Sequence, residues 1–143
     1  MARLYFDTSV FICLWKFEQH GRLGIPQTHY VEMLVDDAVS CKHSIATSSI
    51  TPGEICSKYP YLEQTASEFF DRLVRLGKME ILVFDEKTRT EADELNRKLF
   101  VGRKDCTHLL QSRECDFFVT LDKRLLEAGK EITNAVFPQD LLF

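Results

Sequence analysis

The sequence has no long hydrophobic run. Its longest uninterrupted apolar stretch is the six residues from Val10 to Trp15, whereas a helix that crosses a membrane needs about 20. Near the amino terminus, Asp7 interrupts the chain before a hydrophobic region of the length found in secretory signal peptides can form. We therefore expect a cytoplasmic protein that neither spans a membrane nor is exported.

Regularly spaced cysteines are also missing. The five cysteines have irregular gaps and include no CxxC pair: Cys13, Cys41, Cys56, Cys106 and Cys115. A disulfide framework or a zinc knuckle would need closer and more regular spacing. We therefore expect reduced thiols that are buried or unreactive, as in the cytoplasm. A reactive thiol is the weaker alternative, because no cysteine lies in an evidently electropositive setting.

Common catalytic motifs are absent as well. The sequence contains no GxxxxGK[ST], GxGxxG, HExxH or GxSxG pattern. A haloacid-dehalogenase-type phosphatase would carry an aspartate two residues after Asp7, where this chain has Ser9, and the acidic residues are spaced wrongly for a receiver domain. The histidines show no metal-ligand spacing, and we interpret His108 as structural.

An excess of positive charge is lacking too. The chain has 18 basic and 22 acidic residues, a formal charge of -4. This balance argues against a protein that coats nucleic acid by charge alone. It leaves open a site in which clustered carboxylates hold cations.

What the sequence does contain is an alternation of strand and helix patterns. A length of 143 residues with 45% hydrophobic content suits a single domain over residues 1–143. The predicted strands are residues 3–6, 44–50, 80–84, 117–121 and 133–137. The predicted helices are residues 9–17, 28–42, one that begins at 51–52, 62–76, 87–100, 104–114 and 123–128, with a loop at Gly21, Gly24 and Pro26. This alternation predicts a three-layer α/β/α sandwich with a mostly parallel central sheet.

Two aspartates directly follow predicted strands. Asp7 comes after the first strand and Asp122 after the fourth, and ligands of parallel sheets bind beyond the carboxyl ends of the strands. A charge placed next to buried residues is costly unless it is paired or binds a metal. The alternative is that each aspartate caps the helix that follows it.

Two further acidic residues stand in predicted first turns of helices. Glu54 follows Thr51 by three residues, a spacing that equally fits a capping box. Asp105 opens the sixth predicted helix, where it equally fits an interaction with the helix dipole. Both positions also lie near the carboxyl edge of the predicted sheet.

Four segments, taken in order, resemble the motifs of the PIN-domain nucleases. They are residues 5–12 (YFDTSVFI), 49–55 (SITPGEI), 104–110 (KDCTHLL) and 118–125 (FVTLDKRL), and residues 138–142 fit the usual ending of the family. Each motif alone is weak, but four in order at suitable spacing are fairly specific. The resemblance covers essentially the whole chain, and the length is near that of the VapC-like toxin ribonucleases.

The resemblance implies an acidic quartet made of Asp7, Glu54, Asp105 and Asp122. These four residues would be both catalytic and metal-binding, with one or two Mg²⁺ or Mn²⁺ ions as cofactor. Thr8 and Thr120 match the supporting hydroxyl positions beside the quartet, where they would orient carboxylates or water. One departure is Cys106, where the family more often has alanine or another small residue.

The implied activity is endoribonuclease cleavage of RNA phosphodiester bonds. Such hydrolysis needs an activated water and a way to spread charge on the phosphoryl oxygens, and divalent ions supply both. Within the quartet we expect Asp7 and Asp105 to be the principal ligands. Asp122 would complete or water-bridge the cluster, and Glu54 would help to orient a water at the metal.

Charge arithmetic is consistent with this placement. Without the quartet, 18 acidic residues balance 18 basic ones. The pairs Arg103-Lys104 and Lys123-Arg124 flank two of the aspartates, where they would contact RNA phosphates. The alternative for both pairs is an ordinary solvated surface.

The resemblance also implies partners. A toxin of this kind would have an antitoxin protein and would form a homodimer. The apolar residues of the helices 28–42 and 62–76 would suit a dimer interface, and packing in the core explains them equally well. The rival interpretation is a catalytically silent PIN-fold module that serves as a binding or scaffold protein. In such modules the quartet is commonly eroded, whereas all four positions are acidic here.

Overall fold

Five parallel strands form the centre of the structure, a computed structural model that describes residues 1–16 and 27–141. The strands are β1 (Ala2–Phe6), β2 (His43–Ser48), β3 (Met79–Leu82), β4 (Phe117–Val119) and β5 (Ala135–Val136). Their order across the sheet is β3-β2-β1-β4-β5, and every pairing between neighbours is parallel. The prediction of a mostly parallel sheet is confirmed.

Helices connect these strands within the described residues. They are α1 (Thr8–Trp15), α2 (Gln27–Val39), α3 (Thr51–Lys58), α4 (Glu63–Arg75), α5 (Glu86–Leu99), α6 (Arg103–Ser112) and α7 (Lys123–Gly129). Short 3-10 segments occupy Pro60–Leu62 and Pro138–Leu141. Each predicted helix corresponds to one of the seven, so the alternation in the sequence was the correct guide to the order of elements.

The side chains of β1 show why the sheet is covered on both faces. Leu4 and Phe6 pack into one apolar cluster with the buried residues of α1, α2, α3 and α4. Tyr5, between them, points to the opposite face and packs into a second cluster with α5, α6 and α7. Successive strand residues face opposite sides of a sheet, and burial on both sides accounts for the nearly continuous apolar runs. The three-layer α/β/α prediction is confirmed.

The boundaries of several elements differ from the predicted ones. Strand β4 ends at Val119 rather than at residue 121, and β2 ends at Ser48 rather than at residue 50. Beyond β4, Thr120 is buried and Leu121 packs against the apolar core, so hydrophobicity alone extends this strand too far. Beyond β2, Ser49 is exposed and begins the turn that leads into α3. The predicted end of the first helix at residue 17, the predicted loop at Gly21, Gly24 and Pro26, and residue 142 lie outside the described residues.

The turn between α5 and α6 is built from two residues with positive φ. Phe100 ends α5 in the left-handed conformation with φ 56°, and Gly102 precedes α6 with φ 107°. The Gly102 N–H donates a hydrogen bond to Asn96 Oδ1 at 2.8 Å. A side chain at Gly102 would be strained at this φ, so the turn that places the start of α6 depends on glycine.

Two findings concern the expected setting of the protein. No helix in the described part of the chain is long and apolar enough to span a membrane. The five cysteines all lie in that part and none forms a disulfide. The expectation that no cysteine has an electropositive neighbour is wrong for the exposed Cys41, because the Lys78 ammonium donates a hydrogen bond to its Sγ.

Candidate active site

Asp7 lies at the centre of the carboxyl edge of the sheet. Its backbone N–H donates to the Val119 carbonyl at 3.2 Å, which continues the pairing of β1 with β4. Its side chain does not cap α1, so the capping alternative is wrong here. Instead, Oδ1 accepts from the Ser9 hydroxyl at 2.5 Å and Oδ2 from the Thr120 hydroxyl at 2.7 Å.

The burial of Asp7 is nearly complete. The residue is 4% exposed, and this desolvation raises the pKa of its carboxyl group above the ordinary value. The positive field of His108 and the hydrogen bonds from Ser9 and Thr120 oppose the rise. The carboxylate is therefore held in a fixed orientation at an electrostatic cost.

Glu54 is held by side chains from two other elements. Its Oε1 accepts from the Thr8 hydroxyl at 2.8 Å and from His108 Nε2 at 2.7 Å. Burial pushes the pKa of Glu54 upward, but the contacts with His108 and Thr8 and the charge of Lys104 outweigh it, so the pKa is lowered. Glu54 stays ionised at neutral pH.

The capping box proposed for the start of α3 is wrong. The residue before the helix is Ile50, and no side chain there makes a capping hydrogen bond. The Thr51 hydroxyl is buried and pairs with Thr47 Oγ1 at 2.8 Å. Because Thr51 turns toward the sheet, Glu54 is left to face α1 and α6.

Asp105 stands in the first turn of α6, as expected. Burial raises the pKa of this carboxyl to about 6, and the negative charges of Asp7, Asp122 and Glu54 add to the rise. The Arg124 guanidinium lies 3.6 Å from Oδ2, across the mouth of the site. Because the charges of the other three acidic residues act on Asp105, the four predicted residues lie within electrostatic range of one another.

Asp122 combines capping with a position beside this cluster. Its Oδ1 accepts from the backbone N–H groups of Arg124 at 2.9 Å and Leu125 at 3.2 Å. The capping alternative is therefore confirmed for Asp122. Its own N–H donates to Thr120 Oγ1 at 3.1 Å, so one threonine contacts both strand-end aspartates.

His108 is a member of the site that sequence reasoning assigned only a structural role. It is 1% exposed, its Nδ1 pairs with the Tyr5 hydroxyl at 2.7 Å, and its Nε2 lies 2.7 Å from Glu54 and 3.3 Å from Thr8 Oγ1. Because Glu54 is ionised, Nε2 carries a hydrogen and donates it. The available signal was the three-residue spacing from Asp105, which puts both side chains on one face of α6.

A cavity of about 490 Å³ opens beside Glu54 and Asp105. Three basic residues line it: Lys58, Arg103 and Lys104. The Arg103 guanidinium also forms an ion pair with Asp93 at 2.5 Å. Lys58, at the end of α3, was missed in the sequence because its position depends on how α3 meets the start of α6. Lys123 is exposed at the start of α7.

The donor set fits a hard divalent cation. Carboxylate oxygens are the ligands that Mg²⁺ prefers, and it usually takes one or two of them together with waters. Within residues 1–16 and 27–141, no three His, Cys, Asp or Glu side chains form a ready-made metal cage. A magnesium ion does not require one, and the shared negative field around Asp105 is what such an ion would neutralise.

Comparisons with known proteins place the fold. The family model of the PIN domain matches residues 4–131. Among solved structures, the chain is similar to a chain in the crystal structure of VapBC2 from Rickettsia felis bound to a DNA fragment from their promoter. The TM-score is 0.61 at 20% sequence identity, and the match covers 94% of this chain and 98% of that chain. A likeness at this identity shows the fold alone. No curated protein matches significantly.

Proposed function

The chain belongs to the PIN domain family, whose members are generally nucleases, and we propose that it is a metal-dependent endoribonuclease. The observation that carries this proposal is the convergence of four carboxylates from β1, α3, α6 and the end of β4 on one edge of the sheet. Burial raises the pKa of Asp105, and the charges of the other three carboxylates add to the rise, so a bound cation would stabilise the ionised cluster.

The proposed cofactor is one or two Mg²⁺ or Mn²⁺ ions, held by Asp7, Asp105 and Asp122 with Glu54 at the margin. When bound, such ions neutralise charge on the phosphoryl oxygens and lower the pKa of water. Asp7 supplies a carboxylate that Ser9 and Thr120 have already oriented, so little ordering remains to be done when the site fills.

Glu54 is the proposed positioning group for the attacking water. His108 and Thr8 both donate to Oε1, so these bonds leave Oε2 to accept from a water. The lowered pKa keeps the group ionised and able to orient that water by accepting its proton in a hydrogen bond.

The basic residues around the cavity are the proposed RNA contacts. Lys58 and Lys104 line it together with Glu54 and Asp105, and Arg124 bridges toward Asp105. Arg103 lines the same cavity, and Lys123 is exposed beside Asp122 at the start of α7. These cations would position the phosphates of an RNA chain without reading its sequence.

We also propose protein partners for this chain. The similar solved chain belongs to VapBC2, which is described as bound to promoter DNA. By that likeness we propose that this chain is a toxin that is paired with an antitoxin protein, that it forms a homodimer, and that it acts on RNA in the cytoplasm as a single domain over residues 1–143.

The test is cleavage of a structured RNA pool by purified protein with Mn²⁺ or Mg²⁺, with EDTA as the first control. The variant Asp105→Asn should lower the rate of cutting by about 100-fold or more. The matched control Asp85→Asn changes an exposed carboxylate that only caps α5, and it should leave cutting unchanged.

A binding measurement separates metal loading from turnover. Mn²⁺ should raise the melting temperature of the parent protein and of Asp85→Asn, and should raise that of Asp105→Asn less. Metal-dependent stabilisation without any RNA cleavage would contradict the nuclease proposal and favour the catalytically silent binding module. Equal cutting by Asp105→Asn would contradict the carboxylate mechanism.

A further inference from the structure

A second cavity, of about 520 Å³, adjoins the carboxylate cluster at Asp122. Asp122 forms part of its wall, and Lys58 lines both this cavity and the one beside Glu54. The two cavities are therefore neighbours across one lysine. A volume of this size is within the range of small-molecule sites, which is roughly 300–1,000 Å³.

Two side-chain amide oxygens without hydrogen-bond partners belong to residues that line the second cavity. Among the described residues, three buried side-chain polar atoms have no hydrogen-bond partner: the Oε1 atoms of Gln27, Gln111 and Gln139. Gln27 and Gln139 both line this cavity, although one begins α2 and the other lies in the 3-10 segment near the end of the chain. A buried polar atom without a partner is costly, and a molecule with hydrogen-bond donors that is bound in this cavity would satisfy both oxygens.

Apart from Ser9, the remaining lining of the cavity is aliphatic or aromatic. Phe137 and Ile12 contribute flat or aliphatic surface, and Tyr59 adds an aromatic ring. The Lys16 ammonium lies 4.0 Å from the centroid of the Tyr59 ring, so Phe137 is the aromatic side chain better placed to stack. A nucleobase has a flat apolar face and N–H donors on its edge, and it therefore matches this lining.

The position of the cavity links it to the proposed reaction. A phosphate held near Lys58 and the carboxylates would leave the attached nucleoside beside Asp122, at the entrance to this cavity. We propose that the cavity binds a nucleobase next to the scissile phosphodiester and that Gln27 and Gln139 read its hydrogen-bonding edge. This inference rests on the proposed ribonuclease function, and it adds a specificity site to it.

The terminal torsion of glutamine permits this role. That torsion is broad and roughly two-fold, so each amide can turn either its oxygen or its NH₂ group toward a ligand. Bases with amino and imino N–H groups, such as guanine, would satisfy both oxygens, whereas uracil offers a single N–H donor on that edge.

The experiment measures binding without metal and without cleavage. Isotope-labelled Asp105→Asn protein in EDTA is titrated with AMP, GMP, CMP and UMP, and with ribose 5-phosphate as the probe that has no base. We expect at least one nucleotide to shift the side-chain NH₂ resonances of Gln27 and Gln139, and ribose 5-phosphate to leave them unchanged.

Near-isosteric substitutions test the two amides. Gln27→Met and Gln139→Met, each in the Asp105→Asn background, should lower the affinity for the nucleotide by about tenfold. This is the effect of losing one well-made hydrogen bond. Gln111→Met is the matched control, because Gln111 has the same unpartnered oxygen but lines a different cavity. It should leave the affinity unchanged.

Two results would contradict the proposal that this cavity binds a nucleobase. One is equal shifts with ribose 5-phosphate, which would show recognition of phosphate alone. The other is no shift of these resonances by any nucleotide at millimolar concentration, which would favour a protein segment as the occupant. Failure of the ribonuclease proposal gives a different pattern, namely nucleotide binding that depends on Gln27 and Gln139 in a protein that cuts no RNA.

Discussion

Glu54 and Asp105 occupy the same kind of position and behave in opposite ways. Each stands in the first turn of a helix, with side chains that are 10% and 28% exposed. The pKa of Glu54 is lowered, whereas the pKa of Asp105 is raised to about 6. Glu54 receives hydrogen bonds from Thr8 and His108, while Asp105 faces three other carboxylates and a guanidinium 3.6 Å away.

This contrast divides the site into two halves. The half around Glu54 is satisfied by the protein itself, since Tyr5, His108 and Thr8 form a connected network beneath it. The half around Asp105 is under repulsion and would be relieved by a cation. Preorganisation on one side and unsatisfied charge on the other is the arrangement expected where a water is oriented next to a bound metal ion.

The largest expected effect comes from removing the negative charge of Asp105 or of Glu54. Asp105→Asn should lower the cleavage rate by about 100-fold or more, because a proposed metal ligand is lost. Glu54→Gln keeps an oxygen that can accept from His108 and Thr8, and it should lower the rate to a similar extent by losing the charge that orients water.

Metal affinity distinguishes these two variants. Asp105→Asn should weaken Mn²⁺ binding, measured by calorimetry, whereas Glu54→Gln should change it less. Equal losses of Mn²⁺ affinity would contradict these separate roles and would indicate that Glu54 binds the metal as strongly as Asp105 does.

The next effect concerns the network beneath Glu54. His108→Ala deletes a buried ring and leaves Tyr5 and Glu54 without a shared partner, so the free energy of unfolding should fall by about 2–4 kcal/mol. His108→Gln retains an N–H donor that reaches toward Glu54, and it should restore part of the stability. Urea unfolding of both variants provides the measurement, and equal losses would show that packing alone matters.

The sequence was informative where a local pattern also fixes the location of a residue. Asp7 and Asp122 were found because a parallel sheet brings the carboxyl ends of β1 and β4 to one edge. Glu54 was ambiguous because S/T-x-x-E fits a helix cap and an active-site position equally well. The burial of Thr51 against Thr47 excludes the cap, and that packing depends on tertiary structure.

Other residues of the site carry no readable local signal. His108 becomes part of the site through Tyr5 and Glu54, which are 103 and 54 residues away in the sequence. Lys58, Gln27 and Gln139 meet at one cavity from the end of α3, the start of α2 and the last 3-10 segment. Convergence of this kind follows from how helices pack, which a single sequence does not encode at any one position.

A smaller effect is the pH dependence of stability in metal-free protein. The folded pKa of Asp105 is about 6, above its ordinary value, so the ionised group destabilises the fold at pH 7. When the pH is lowered through 6, Asp105 becomes protonated in the folded state before it does so in the unfolded state. The free energy of unfolding should therefore rise by about 1–2 kcal/mol after solvent screening. Asp105→Asn should be more stable than the parent at pH 7, and the difference should shrink toward pH 5. A constant difference across this range would show that repulsion does not strain this half of the site.

The smallest expected effect tests whether the network extends to the sheet. Tyr5→Phe removes only the hydroxyl that pairs with His108 Nδ1 at 2.7 Å, and Tyr5 is fully buried, so the free energy of unfolding should fall by about 1 kcal/mol. The ring contact with Phe118 remains, and the lowered pKa of Glu54 should persist because Nε2 still donates to it. Carboxyl-carbon NMR titration of Glu54 checks this second point. A clear upward shift of that pKa in Tyr5→Phe would mean that Tyr5 orients His108, and that the preorganised half of the site extends into the strand itself.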